Sequence, residues 1–159
     1  MNRNYLLVAI SLFFWGIGEG LFIYFQPIYL QHWVEDPLLI GTILGAMGVA
    51  MAVSLIPAGY LSDRLGSRSI MWASWILGTL ATWMMALANS AAVFITGLIL
   101  YGSTTFGVAP MNSYITNVRG KLSVGRSLTI ISGLYSLGAV IGPVTGGVLA
   151  QKFGLKIVY

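Results

Sequence analysis

The chain contains no cysteine, which excludes disulfides, thiolate-held metals and a cysteine nucleophile. It has a single histidine, His32, and a zinc site needs three or four converging ligands. Standing beside Glu35 and Asp36, His32 reads as part of a solvated loop, so neither a metal nor a cofactor is expected. Charge is scarcest of all. Asp, Glu, Lys and Arg make up 8% of the chain, against about 25% in a typical soluble domain. So little charge cannot solvate 159 residues, and the outer surface must face lipid. Paired intramembrane carboxylates are lacking, as is a phosphate-binding glycine loop ahead of Lys-Ser/Thr. Those absences disfavour an enzyme, and ATP-driven transport within this chain.

What is present is apolar sequence, at 57% of residues. Crossing the hydrocarbon core takes about 20 apolar residues, and charges punctuate the chain at that interval. Five helical spans are expected, at Tyr5–Leu30, Leu38–Leu61, Ser69–Leu87, Ala91–Thr116 and Ser127–Ala150. The expected fold class is all-α, a polytopic transmembrane helix bundle. Barrel strands would instead show alternating segments of about 10 residues. Tyr5, Tyr29, Trp33, Tyr60 and Trp72 stand near span ends, where amphipathic rings favour the lipid–water boundary. The first span is expected to stay rather than be cleaved as a signal. It outruns the usual apolar stretch of about 7–15 residues, contains Glu19, and is followed by no small-residue cleavage pattern.

The net charge of +4 suggests topology rather than nucleic acid, because the basic residues sit in short gaps between spans. Arg3, Arg64, Arg68, Arg119, Lys121 and Arg126 fall on one side and Lys152 and Lys156 on the other. The positive-inside rule then puts the N-terminus in the cytoplasm, with the plasma (inner) membrane as the expected location. Glycine is abundant, at 20 residues. Gly41 with Gly45, and Gly138 with Gly142 and Gly146, have the small-xxx-small spacing that lets helices approach closely. Pro27, Pro57, Pro110 and Pro143 fall within spans, where each can kink a helix and free a carbonyl.

The segment Gly59-Tyr60-Leu61-Ser62-Asp63-Arg64-Leu65-Gly66-Ser67-Arg68 resembles the signature loop between helices two and three of the major facilitator superfamily. It falls between the second and third expected spans, as in that family. The resemblance implies a cytoplasmic latch, made in one transport state and broken in the other. In it Gly59 permits close helix contact, Asp63 meets the positive end of a nearby helix, Gly66 belongs to the loop, and Arg64 and Arg68 pair with carboxylates or lipid phosphates. Ser67 replaces the family's usual basic residue. A second segment, Gly138-x-x-x-Gly142-Pro143-x-x-Gly146-Gly147, is similar to the motif of antiporter branches of the same superfamily. It implies a flat glycine face packed on a partner helix. Proton antiporters of the family usually carry an arginine in helix four, whereas Ala91–Thr116 holds no ionisable residue. A complete family member has about twelve helices in two halves, so the chain is expected to be the N-terminal part. Its expected partners are the lipid bilayer, a small-molecule solute, and either the missing C-terminal helices or another copy; nucleic acid is not among them.

Glu19 is the one ionisable side chain inside an expected span. A charge at mid-membrane costs about 3 kcal/mol on insertion scales and is normally placed in a cavity or paired. At helical spacing Glu19 shares a face with Ser11, Trp15, Phe22 and Gln26. Two functional readings are open: Glu19 binds a cation or polar substrate group, or it titrates as a proton carrier. The structural alternative is a neutral Glu hydrogen-bonded between helices near Gly18 and Gly20. On span four Thr105, Asn112 and Thr116 share a face, with Ser113 beside it; they hydrogen-bond substrate or join helices. Tyr135, one turn before Gly138, is a candidate cavity aromatic. Trp72, Trp75 and Trp83 are expected against lipid or neighbouring helices. The leading function is secondary active transport of a small organic solute by alternating access, with proton-coupled efflux as one form. The alternative is a helical membrane scaffold or subunit that associates through its glycine faces.

Overall fold

The computed structural model describes residues 2–159. Its α-helices are α1 (Arg3–Ile23), α2 (Gln26–Leu30), α3 (Pro37–Leu65), α4 (Ser67–Ala86), α5 (Ala91–Ser103), α6 (Val108–Val118) and α7 (Val124–Phe153), with 3-10 turns at Thr104–Gly107 and Leu155–Val158. There is no strand among the described residues. Five helical segments are long and apolar enough to cross a membrane: α1, α3, α4, the Ala91–Val118 run and α7. The chain is therefore all-α and multi-pass, as the apolar runs predict. Leu38, Ile56 and Val140 are each more than two-thirds exposed, the state expected of side chains that meet lipid rather than water.

Side-chain caps start four of these helices. Asn2 accepts from the Asn4 N–H at 3.1 Å, and Asp36 accepts from Leu38 at 2.9 Å, with Pro37 in the first helical turn where its missing N–H costs nothing. Ser90 and Ser123 accept from Val93 and Arg126 at the heads of α5 and α7. Each cap satisfies one of the donors a helix start leaves unpaired. Two helices stop at glycines with positive φ, Gly66 at 82° and Gly154 at 89°, a backbone that side chains with a β-carbon avoid.

Several boundaries differ from the apolar reading, for physical reasons. The first span is interrupted at Tyr24 and Phe25 instead of running on to Leu30. Pro27 has no N–H to give the Ile23 carbonyl, so the α-ladder fails there and Phe25 N–H turns back to Phe22 at 2.9 Å. In the other direction, α3 and α7 run past their apolar stretches to Leu65 and Phe153. At 1.5 Å per residue α3 is about 44 Å long against a core of about 30 Å. Its polar end is thus helix, not a loop. The Gly59–Arg68 segment proves to be the last turns of α3, a one-residue break at Gly66, and the start of α4.

Contacts group the chain into two compact units, one holding α1 and residues from Asn112 to Val158, the other running from Pro27 to Met111 and including Tyr159. In the first, α1 packs on α7. In the second, α3, α4 and α5 pack on one another and on the Thr104–Gly107 turn. Phe94 and Leu98 of α5 are fully buried in that second core.

Candidate functional site

The first unit is built on glycine. A β-carbon on Gly142 would lie 2.5 Å from the Ile17 carbonyl oxygen and 2.7 Å from Gly20 Cα. One on Gly146 would lie 2.7 Å from the Leu21 carbonyl, and one on Gly138 would be 2.8 Å from the Ile17 nitrogen. From α1, Gly16 abuts the Tyr135 and Ala139 backbone, and Gly20 abuts Pro143 and Gly142. Only glycine allows backbones this close, and close approach is how membrane helices gain packing energy without a hydrophobic drive. Along the interface the contacts rise together, from Phe13 with Gly138 to Leu21 with Gly146, so α1 and α7 run parallel. At their N-terminal ends the buried Tyr5 hydroxyl donates to the Ser127 carbonyl at 2.8 Å. The span-five glycine motif thus has α1 as its partner. That partner carries its own Gly16-x-x-x-Gly20 pair, the same small-xxx-small spacing. Gly147 lies at the rim, with a hypothetical β-carbon 3.8 Å from Phe25.

Glu19 stands between Gly16 and Gly20 of α1, and the Tyr135 hydroxyl donates a hydrogen bond to its Oε2. Two residues singled out separately by sequence are therefore one polar pair, both half-buried. The phenol is a neutral donor. It solvates a carboxylate without cancelling its charge, and bonds to an ionised acceptor are about twice as strong as neutral ones. Glu19 has no ion pair among the described residues.

The rest of the α1 stripe is graded. Ser11 is exposed, Trp15 half-buried, and Phe22 and Gln26 buried. The break at Tyr24–Phe25 also takes Gln26 out of helical phase with Glu19. Its side-chain Nε2 is buried with no hydrogen-bond partner among the described residues, a costly state for an amide.

The span-four stripe does not form a single face, because the 3-10 turn shifts the phase between Thr105 and Asn112. Thr105 joins helices: its hydroxyl is 2.9 Å from Ser54 Oγ and 3.1 Å from the Met51 carbonyl of α3. Asn112 is exposed, and Thr116 bonds back to the Ser113 carbonyl at 2.8 Å. Trp72 and Trp83 are exposed, as expected of lipid-facing rings.

In the Gly59–Arg68 segment the contacts that the resemblance implies for Gly59 and Asp63 are not made among the described residues. A β-carbon on Gly59 would meet nothing within 4 Å, and Asp63 is exposed, with no ion pair among the described residues. The Arg64 guanidinium lies over the Tyr60 ring, 4.5 Å from its centroid. The Gly41 and Gly45 pair on α3 likewise has open space where a partner helix was expected. Small-residue spacing marks a face that can pack, not one that does.

Comparison with known proteins fits this geometry. Over 158 residues the chain is 29% identical to an uncharacterised MFS-type transporter of Methanocaldococcus jannaschii, covering 99% of this chain and 41% of that protein. It is 27% identical over 156 residues to the quinolone resistance protein NorA of Staphylococcus aureus, covering 95% of this chain and 39% of the relative. The chain therefore spans about two-fifths of the length of these relatives. Residues 8–159 match the sequence profile of the Major Facilitator Superfamily, and the chain belongs to that family.

Proposed function

We propose that this chain supplies the first five membrane-spanning helices of a secondary active transporter that moves a small organic solute by alternating access. Its N-terminus lies in the cytoplasm, and Glu19, held by Tyr135, is the group that meets either the solute's cationic end or a coupled proton. The observation that carries this reading is the half-buried carboxylate of α1, bonded by a neutral phenol and lacking a basic partner. Intramembrane acids so placed mark solute and proton pathways. Family membership supports transport, and the parallel course of α1 and α7 supports a common side for Arg3 and Arg126, at the starts of both helices. Alternating access takes two halves, so the remaining helices come from the rest of the protein or from another copy. Asp63, Arg64 and Arg68, with Gly59 and Gly66, form the latch toward those helices in one transport state.

Because one relative is named for quinolone resistance, a fluoroquinolone is the first solute to try. Full-length protein in proteoliposomes, with Glu19→Gln beside the parent, gives the test. The expected result is a loss of transport of at least tenfold. A flattened pH profile in the variant assigns Glu19 the proton, and a retained pH profile with weakened binding of cationic solutes assigns it the solute. Transport and pH dependence equal to the parent's would exclude both.

A further inference from the structure

Midway along the fourth apolar span the helix tightens into the 3-10 turn Thr104–Gly107, between α5 and α6. Three side chains explain it. In a continuous α-helix the Val108 N–H would bond to the Thr104 carbonyl four residues back. Here it bonds to Thr105 instead, and the Ser74 hydroxyl of α4 donates to the Thr104 carbonyl at 2.7 Å. Ser74 is buried, and it sits directly against Gly107, where a β-carbon would collide with its side chain. Pro110 has no N–H for the Phe106 carbonyl, which weakens the α-ladder at the next position. From α3, the Ser54 hydroxyl is 2.9 Å from that of Thr105. All of these contacts lie within the compact unit Pro27–Met111.

We propose that this turn is a two-state element, held in its 3-10 form by Ser74 and returning to α-helix when the Ser74 bond opens. The exchange is nearly balanced. In one state the Thr104 carbonyl takes its proton from Ser74, in the other from the Val108 N–H, and a released serine hydroxyl can bond back to its own helix. Apart from the Phe106 carbonyl, which Pro110 leaves without an N–H in the α form, the exchange keeps these polar groups bonded in both states, as the interior of a membrane protein requires. The geometric consequence is large for so small a change. Converting four residues from about 3.0 to 3.6 residues per turn re-phases the helix beyond Val108 by roughly 80° and shortens it by about 2 Å. Ala109, Pro110 and Met111 lie beyond the turn in the same compact unit as α5, so the state of the turn sets the direction they face. Mid-helix 3-10 stretches often mark functional hinges, and here the hinge has an identifiable pin.

These 159 residues hold no thiol, so in lipid-reconstituted full-length protein, with any cysteine outside them replaced, nitroxide labels at Thr96→Cys and Ala109→Cys, both exposed positions, report the distance across the turn. Ser74→Ala is expected to shorten the pulsed-EPR distance by about 2 Å or to add a shorter population of that size. Thr82→Ala, which removes a hydroxyl bonded only within its own helix, is expected to leave the distance alone. If Ser74→Ala does not yield folded protein, Ser74→Gly removes the same donor with less bulk. An unshifted single distance in whichever Ser74 variant folds overturns the proposal.

Discussion

Gly20 of α1 meets Pro143 of α7 where α7 has lost a hydrogen bond: a β-carbon on Gly20 would lie 2.9 Å from Pro143 Cδ and 3.0 Å from the Ala139 carbonyl oxygen. Ala139 stands four residues before the proline, so its carbonyl is the one the missing N–H leaves free. A glycine opposite lets the α1 backbone come up to that bare carbonyl. Proline and glycine thus act as one feature on two helices.

Adding bulk here should break the pair apart. Gly20→Val and Gly142→Val are each expected to destabilise the protein by about 1–3 kcal/mol or more, the usual cost of overpacking. The check is the thermal unfolding midpoint in detergent. A midpoint unchanged in both variants would contradict the packing described for α1 and α7.

Gly41 and Gly45 should behave in the opposite way. Nothing lies within 4 Å of a β-carbon at either position, and alanine is the better helix former by about 1 kcal/mol. Gly41→Ala and Gly45→Ala are therefore expected to leave the stability of the isolated chain unchanged or slightly raised. If either is destabilising by that much in the same unfolding assay, α3 has a neighbour on this face.

Tyr5 anchors the N-terminal ends of α1 and α7 through its hydroxyl. Tyr5→Phe keeps the ring and removes the donor. Side-chain hydrogen bonds in membranes average about 0.6 kcal/mol and reach about 1.7, and this one is buried, so a loss in that interval is expected. Tyr5→Ala, which also empties a fully buried site, should cost several times more in the same measurement.

Gly66 is the sole break between α3 and α4, at φ 82°. A residue with a β-carbon is strained there by about 1–3 kcal/mol. Gly66→Ala should lower stability by that amount, whereas Gly59→Ala, in open helical backbone, should not. Equal effects from the two would show that the turn does not depend on positive φ.

Much of the fold was legible because the membrane makes hydropathy decisive: each of the five apolar runs became a helical segment of membrane length. The ends were less so, since α3 and α7 continue as helix past the residues that need lipid, to Leu65 and Phe153. Pro27 announced the break in the first span, and Pro110 pointed to weakness in the fourth. Ser74 gave no signal, because its bond to Thr104 joins residues thirty positions apart. The candidate site divides in the same way. Glu19 and Tyr135 each stood out by residue type and place, yet their hydrogen bond depends on how α1 packs on α7, and Gly16 and Gly20 had to be recognised as the other half of that packing. Thr105 fell out of its supposed stripe because a tertiary contact changed the helical phase beneath it.

The most direct test of the central claim is a double-mutant cycle on solute transport, using Glu19→Gln, Tyr135→Phe and the pair together in full-length protein. If Tyr135 acts by holding the Glu19 carboxylate, the double variant should transport no worse than Glu19→Gln alone, because residues in direct contact are not additive. Losses that simply add, or a Tyr135→Phe variant with the parent's rate and pH profile, would contradict the account.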